Sequence, residues 1–296
     1  MELAVATRET DLDGALALGR QALALAEQGR SVLLNATLEA DALVLGALQL
    51  ESTLRARSPA SFDQRTVRRA TTGTEAQLSG AVLYHALALP RVAALYADAS
   101  ARTLLNRNLR AFLRGYTAAG VPLRYFGTEV LALLGHPVAL VGYDVSESGA
   151  VLIEVLVGLE NPCVVRSALK REPPAALYAL LRRSPPAADL LRAAVDGIVS
   201  RLEATSVEVD LPDVAPAVTL EEPSTAPSAV GIPLGVVEAV AAPRLRIFGD
   251  LLVGTAALRR FEESADVRAL EGAALDGARP ADLVAAVEKS RGSASI

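Results

Sequence analysis

The chain has 296 residues, of which 51% are hydrophobic, and its formal net charge is −5 at pH 7, with a pI near 5.3. This length supports one large domain, or a main domain with a smaller appendage. The acidic balance argues against nucleic acid as a main partner. Charged residues and proline interrupt the longest apolar segments, near residues 130–145 and 150–166, so no membrane span is expected.

The amino terminus lacks the basic and then apolar pattern of a signal peptide, and its first 14 residues include four acidic ones. A cytoplasmic location is therefore expected. The single cysteine, Cys163, cannot form an internal disulfide. Arginine supplies nearly all of the positive charge, since the only lysines are Lys170 and Lys289.

The first 120 residues predict alternating helices and strands. Residues 11–28 place leucines at helical spacing and predict a helix, as do residues 98–119, where apolar residues follow one side and arginines the other. Most of these arginines are expected to lie in solvent. The predicted strands are residues 31–35, 41–49, 66–69 and 80–89, with a loop at 51–65. Gly46 marks a point where a partner or ligand could approach the backbone closely.

The next 85 residues predict strands joined by short turns, and then helices. The predicted strands are residues 121–125, 129–134, 138–144 and 150–158. Turn signals at residues 135–137 and 146–149 imply antiparallel pairing. Residues 172–205 predict two helices split by Ser184-Pro185-Pro186. The predicted fold class is α+β, with a mixed or antiparallel sheet flanked by helices.

A proline-rich stretch predicts the domain boundary. Prolines stand at positions 212, 216, 223, 227 and 233 with Ser, Thr and Ala between them, which favours an extended linker. We predict a main domain at residues 1–210, a linker at 211–233 and a small α+β domain at 234–296. The small domain predicts a hairpin and two helices, and it is short enough that it should dock on the main domain.

The richest stretch for a ligand site is residues 67–89, VRRATTGTEAQLSGAVLYHALAL. Arg68 and Arg69 could hold a carboxylate or phosphate through bidentate contacts, or they could simply face solvent at a strand end. Alternation along a strand puts one of Tyr84 and His85 inward and the other outward. A structural histidine with satisfied partners is the simpler interpretation of His85. No carboxylate at ligand spacing joins it to His136, so no metal site is expected.

These motifs, in this order, resemble the biotin/lipoate protein ligase superfamily, and in particular lipoate–protein ligases of the A type with their C-terminal accessory domain. In that family the first segment reads R-R-x-S/T-G-G-G-A-V-x-H. Here RRAT at residues 68–71 matches its start and GAVLYH at residues 80–85 its end. A second family segment, G-R-K-x-x-G-x-A/G, is similar to GHPVALVG at residues 135–142.

The resemblance implies a site for an acyl-adenylate. Lipoate or another medium-chain acyl group would lie in an apolar tunnel, and its activated phosphate would sit on the backbone N–H groups of the glycine turn. The implied partner is a lipoyl-acceptor or acyl-carrier domain; self-association is left open. The ligand-binding residues implied are Arg68, Arg69, Thr71, Thr72, Gly73, Gly80, Tyr84, His85, Glu129 and Gly142.

Three departures from the family pattern concern the same chemistry. Pro137 stands where the family has a lysine that contacts carboxylate and phosphate, and proline supplies neither a charge nor an N–H donor. The turn holds only Gly73 and Gly80, is interpreted as expanded, and carries Glu75. The family's Arg-Asn-Asp segment is replaced by Gly-Thr-Glu at residues 127–129. We therefore expect no standard ATP-dependent ligation, and ATP and Mg²⁺ are not expected as cofactors.

Three functions stay open at this point. The first is a ligase-like protein that binds an acyl group or a carrier domain without adenylating chemistry. The second is an octanoyl or lipoyl transferase that uses Cys163 as a thioester nucleophile, with Arg166 or Lys170 lowering its pKa. The third is a non-catalytic structural or regulatory subunit with a collapsed pocket.

Overall fold

A computed structural model describes residues 2–127, 129–165, 172–211 and 220–293. The helices are α1 (Leu12–Glu27), α2 (Glu51–Arg57), α3 (Leu104–Ala118), α4 (Leu177–Leu181), α5 (Ala187–Leu202), α6 (Thr255–Ser264) and α7 (Pro280–Ser293). The strands are β1 (Glu2–Glu9), β2 (Ser31–Leu45), β3 (Arg65–Arg68), β4 (Ala76–Leu89), β5 (Arg124–Tyr125), β6 (Val130–Leu133), β7 (His136–Val145), β8 (Val151–Gly158), β9 (Val164–Val165), β10 (Thr205–Glu208), β11 (Ser228–Ile232), β12 (Gly235–Val240), β13 (Arg246–Gly249), β14 (Leu252–Val253) and β15 (Leu275–Asp276).

Ten of these strands form one mixed sheet. Its main path runs β10-β1-β2-β4-β8-β7-β6-β5, with β3 paired to β2 and β9 paired to β4. The pairs β1–β10, β1–β2 and β2–β3 are parallel, whereas the pairs from β2–β4 through β5–β6 are antiparallel. A second sheet, β11-β12-β13, and the ribbon β14–β15 lie in the C-terminal part. The predicted α+β class with a mixed sheet is confirmed.

Alternation along β4 and β8 divides the core into two halves. Tyr84 and Ala86 belong to the half that α1 covers, whereas Leu83 and Leu87 belong to the half beneath α3 and α5. Because successive side chains of a strand point to opposite faces, one sheet can carry both halves. No helix in the described part of the chain is long and apolar enough to cross a lipid bilayer.

Helices α3 and α5 approach each other closely. A Cβ added at Gly115 would lie 1.8 Å from the carbonyl oxygen of Ala193, and one added at Gly197 would lie 2.3 Å from that of Ala111. The amphipathic pattern predicted for α3 is confirmed, since Leu105, Leu109 and Phe112 are buried. The two glycines let this buried side meet α5 at backbone distance.

The elements from β11 to α7 form what is called here the C-terminal unit. This unit packs against the main sheet through hydrogen bonds near the end of β7. The hydroxyl of Tyr143 donates to the carbonyl oxygen of Leu252 at 2.9 Å. The backbone N–H of Thr255 donates to the Asp144 carboxylate at 2.8 Å. Leu252 and Phe261 belong to the same apolar cluster as Tyr143, so the core is continuous across the contact.

Several boundaries differ from the predictions. Residues 31–35 and 41–49 were predicted as separate strands, but β2 is one strand of 15 residues. Its exposed Glu39 and Asp41 alternate with buried Leu38 and Ala40, so the polar residues mark the solvent side of a strand and not a break. The predicted loop at 51–65 contains α2 and a 3-10 helix, Pro59–Phe62, because Leu54 and Phe62 are buried with Leu43 and Leu45.

Within the predicted linker, β11 begins at Ser228 and pairs with β12. The sheet of the C-terminal unit therefore starts before residue 234. Residues 212–219 of that stretch lie outside the described residues. The division into domains stays a prediction.

We predict that Gly115→Ala destabilises the protein by about 1–3 kcal/mol, because the new methyl group must push α5 away from α3. The matched control is Gly292→Ala in α7, where an added Cβ meets no atom within 4 Å. The control should leave stability unchanged or raise it slightly, since alanine favours helix. Urea unfolding of the full chain measures both; equal midpoints for the two variants would contradict the prediction.

Candidate functional site

The segment that joins β3 to β4, residues 69–75, is the centre of the candidate site. Six of its seven residues are buried, and Ala70 is half-buried. The predicted expansion of this turn is wrong, because β4 already begins at Ala76 and Gly80 lies inside that strand. Gly46 is approached closely, as predicted, but by the protein itself: the carbonyl oxygen of Gly73 lies 2.0 Å from where a Cβ at Gly46 would stand.

Two carboxylates of the protein accept hydrogen bonds from this segment. The Glu154 carboxylate accepts from the backbone N–H of Thr71 at 3.0 Å and from its hydroxyl at 2.5 Å. The Glu129 carboxylate accepts from the backbone N–H of Thr74 at 2.7 Å, and the Thr74 hydroxyl also donates to it. Both glutamates are buried. Two of the backbone donors that the resemblance assigns to a phosphate, the N–H groups of Thr71 and Thr74, are therefore already bonded to carboxylates of the protein.

The Arg69 side chain lies fully buried between these groups. It donates from Nη2 to the carbonyl oxygen of Thr74 at 3.0 Å and from Nη1 to the Thr71 hydroxyl at 3.3 Å. Within the described residues its Nε–H has no hydrogen-bond partner. Burial lowers the pKa of Arg69, and the charges of Glu154 and Glu129 act in the opposite direction. An arginine stays protonated in proteins, so a permanent cation compensates the two carboxylates.

Two predicted glycines make room for the Arg69 guanidinium. A Cβ at Gly142 would lie 2.0 Å from its Nη1, and a Cβ at Gly73 would lie 2.6 Å from its Nη2. Gly73 also has φ +120°, a backbone conformation that side chains with a Cβ rarely adopt. The space between these glycines is thus occupied by a side chain of the protein.

Arg69, Glu129, Glu154 and the two threonines that bond to them, Thr71 and Thr74, are called the Arg69 cluster below. Arg68 bonds elsewhere. Its Nη1 donates to the carbonyl oxygens of Gly46 at 2.8 Å and of Gln49 at 2.6 Å. Burial lowers its pKa, while Glu222 and Glu51 act to raise it. The arginine pair therefore does not act as one clamp: Arg68 stabilises the turn after β2, and Arg69 fills the site.

Gln49 connects the candidate site to the C-terminal unit. Its Nε2 donates to the Glu75 carboxylate at 2.6 Å and to the Asp250 carboxylate at 2.7 Å. Asp250 also accepts from Arg57 at 3.1 Å and from the backbone N–H of Val236 at 2.9 Å. Glu75, predicted as a negative charge beside a bound anion, is instead part of this contact between the two units.

Thr72 meets the C-terminal unit directly. Its hydroxyl accepts from the backbone N–H of Val253 at 3.0 Å. The same hydroxyl lies 2.9 Å from the carbonyl oxygens of Tyr143 and Val253 and can donate to one of them at a time. The outer side of the segment is therefore covered by β14.

Tyr84 and His85 lie on opposite faces, as strand alternation predicted. The Tyr84 hydroxyl donates to Glu154 at 2.6 Å, which places it at the edge of the cluster. Burial raises the pKa of Tyr84, and the Glu154 charge adds to this. Gly19 of α1 provides the room, since a Cβ there would lie 2.2 Å from the Tyr84 hydroxyl oxygen.

His85 has satisfied partners in the opposite half of the core. Its Nδ1 lies 2.7 Å from the Asn35 side-chain oxygen, and its Nε2 lies 2.8 Å from the Tyr116 hydroxyl. The Asn35 amide nitrogen donates to the carbonyl oxygen of Leu191, which assigns its oxygen to His85. The neutral ring therefore donates from Nδ1 and accepts at Nε2. Burial lowers its pKa to about 3.

Cys163 is buried, and burial raises the pKa of its thiol to about 12. A thiol nucleophile needs the opposite shift, so this geometry favours a core residue. Residues 166–171, which include Arg166 and Lys170, lie outside the described residues. Gly80 faces Asn161, whose side-chain nitrogen would lie 2.5 Å from an added Cβ.

Pro137 is distant from the cluster along its own strand. It pairs with Ala132 at the beginning of β7, five residues before Gly142. At the usual rise of a strand this separation is about 17 Å. The absence of a lysine at this position and the occupation of the site by Arg69 are therefore separate features.

Sequence reasoning missed Glu154 as a site residue, although it noted that this charge interrupts an apolar segment. It is the only charged residue in VLIEVLVG, the strand β8. A lone carboxylate on a strand buried on both faces must have buried donors, and that signal could have found it. Thr74 and Gln49 gave no comparable signal. In the described ranges, no three His, Cys, Asp or Glu side chains lie close enough to hold a metal ion.

The chain is similar to solved structures of lipoate–protein ligases. Lipoate-protein ligase A bound with ATP matches with a TM-score of 0.53 and 13% identity, over 71% of this chain and 90% of that chain. LipL1 of P. falciparum in complex with lipoate matches with a TM-score of 0.57 and 11% identity, over 85% of this chain and 86% of that chain. The chain has the fold of the lipoate–protein ligases.

A further structure of this fold is a putative lipoate protein ligase from T. acidophilum with bound lipoic acid. It matches with a TM-score of 0.51 and 14% identity, over 71% of this chain and 89% of that chain. No family model matches the sequence. The comparison with curated proteins also finds no match. The resemblance to the biotin/lipoate ligase superfamily is thus confirmed at the level of the lipoate–protein ligase fold.

We predict that Arg69→Met lowers the free energy of unfolding by about 3–5 kcal/mol, because the buried carboxylates of Glu129 and Glu154 would lose their interaction with the Arg69 charge. The control is Arg102→Met on the surface, which should change stability by less than about 0.5 kcal/mol. Adding Glu129→Gln and Glu154→Gln to Arg69→Met should recover part of the loss. Urea unfolding distinguishes the cases; equal losses for Arg69→Met and Arg102→Met would show that the charges are not coupled.

The pH dependence of stability should report the buried neutral state of His85. Its folded pKa of about 3 lies below the usual 6.5, so from pH 6.5 downward only the unfolded chain takes up this proton. This contribution to stability is complete above pH 6.5 and is lost by up to about 1.4 kcal/mol per pH unit toward pH 3. His85→Gln, which retains one donor and one acceptor, should remove this part of the slope between pH 6 and 4. Identical slopes for the two proteins would refute the assignment.

Proposed function

We propose that this chain is a non-adenylating protein of the lipoate–protein ligase fold, which binds a lipoyl-type acceptor domain without modifying it. The observation that carries the proposal is the use of the segment 69–75 by the protein's own charges. Glu154 and Glu129 accept the hydrogen bonds of Thr71 and Thr74, and the Arg69 guanidinium lies between Gly73 and Gly142. An acyl-adenylate would need the same donors and the same space.

Electrostatics makes an exchange of ligand for side chain unfavourable. The site already contains the buried carboxylates of Glu129 and Glu154. A phosphate that entered would add negative charge beside Glu129 and Glu154, and their displacement would leave these carboxylates to find other buried partners. Absence of a positioned cation at an activated acyl group typically costs about 3 kcal/mol or more of transition-state stabilisation, which corresponds to two or more decades in rate.

The partner in this proposal is suggested by the names of the similar structures. Lipoate–protein ligases join lipoate to a protein, and one of the similar structures holds ATP and two hold lipoate or lipoic acid. If chemistry at the site is lost, what the fold can keep is recognition of the acceptor protein. Of the two ligands in those structures, ATP is the less compatible with the cluster around Arg69, because it brings the larger negative charge.

We expect the purified chain to leave a lipoyl-acceptor domain unmodified in the presence of ATP, Mg²⁺ and lipoate or octanoate. Intact-protein mass spectrometry of the acceptor measures the transfer, and pyrophosphate release measures adenylation. An active lipoate–protein ligase under the same conditions is the control. Acceptor modification at a rate within about tenfold of that control would overturn the non-adenylating assignment.

Binding is measured separately by titrating the unmodified acceptor domain into the chain in a calorimeter, without ATP. A saturable heat supports recognition of the acceptor. No heat at millimolar acceptor would exclude the proposed partner and leave the adenylation result to stand by itself.

A further inference from the structure

The C-terminal unit carries a surface groove that is lined by arginines. The groove has a volume of about 660 Å³ and lies beside the connection from β12 to β13. Four arginines and two glutamates line it, so its formal charge is positive in a chain of net charge −5. The charged lining residues are Arg244, Arg246, Arg259, Arg291, Glu262 and Glu263.

One of the two glutamates is engaged within the unit. Glu262 accepts a hydrogen bond from the backbone N–H of Ile247 at 2.6 Å, and its carboxylate lies 3.9 Å from Nε of Arg246. Burial raises its pKa, whereas the Ile247 N–H and the nearby arginines act to lower it. Glu262 therefore bonds to the backbone of β13 beside the groove, and its charge offsets only part of the positive charge of the groove arginines.

Three of the groove arginines differ in how freely their side chains can move. Arg244 is exposed at the rim. Arg259 lies 3.8 Å from Glu147, but the two side chains are 66% and 77% exposed, and such surface pairs contribute little. Arg246 is more constrained, since its guanidinium lies 5.2 Å from the centre of the Phe248 ring. The groove combines one ordered guanidinium with two that can adjust.

We propose that this groove binds an acidic segment of a partner polypeptide, one that presents clustered Asp and Glu carboxylates. Guanidinium groups match carboxylates in a planar, two-point geometry, and several in one groove select for several carboxylates. A short acidic segment is favoured over a long nucleic acid, because a long polyanion would extend beyond the groove and meet the negative charge of the rest of the chain. The inference does not depend on the candidate site around the segment 69–75, because none of the residues that line the groove belongs to the Arg69 cluster.

The test uses the full chain and a fluorescein-labelled deca-glutamate peptide, with fluorescence anisotropy as the measurement. Binding is expected at 50 mM NaCl and should weaken at least about tenfold at 300 mM, because salt screens exposed charges. Arg244→Glu with Arg259→Glu should weaken binding at least about tenfold. The matched control is Arg102→Glu, in the 3-10 helix Ala101–Thr103, with Arg110→Glu on α3. Both arginines are exposed, so the pair makes the same change of charge elsewhere and should stay within about twofold of the wild type.

Three results would overturn the proposal. They are no binding of the peptide at 50 mM NaCl, an equal loss in the control pair, and tighter binding of a labelled ten-nucleotide oligothymidine, which would indicate a phosphate site. Circular dichroism checks that each variant folds. If the double variant Arg244→Glu with Arg259→Glu does not fold, Arg244→Gln with Arg259→Gln replaces it. This double variant must still bind the peptide more weakly than the wild type.

Discussion

A guanidinium held away from water between two carboxylates is the interaction on which the centre of this protein depends. Arg69 makes only two hydrogen bonds within the described residues, to Thr71 and Thr74, so the charges of Glu129 and Glu154 contribute much of what keeps it there. Each carboxylate in turn satisfies one end of the segment 69–75. Removing Arg69 or either glutamate therefore takes hydrogen bonds or charge compensation away from the other members of this group.

The same segment is also the floor on which the C-terminal unit rests. Thr72 bonds to β14, and Glu75 reaches Asp250 through Gln49. The segment 69–75 thus contacts the Arg69 side chain on its inner side and β14 on its outer side. These contacts join the main sheet to the C-terminal unit. In the lipoate–protein ligase fold, this makes the position of the implied adenylate site a structural junction.

Charge is distributed unevenly over the molecule. The chain is acidic as a whole, whereas the C-terminal groove carries more arginines than glutamates. Arg244 and Arg259 of the groove are exposed, whereas the backbone N–H groups of Thr71 and Thr74 are hydrogen-bonded to buried glutamates.

Local pattern by itself determined the helices α1 and α3, the antiparallel run β6–β7–β8 and the α+β class, because these follow from spacing, alternation and turn residues that act over a few positions. The glycines at 73 and 142 and the arginine at 69 also pointed to one place. Only the tertiary structure decided what lies in that place. The segment 69–75 is brought against β6, β7 and β8 by strand pairing over long sequence separations, and sequence spacing does not report whether a glycine makes room for a ligand or for the protein's own arginine. That outcome depends on which charges the fold buries together, here Arg69 with Glu129 and Glu154.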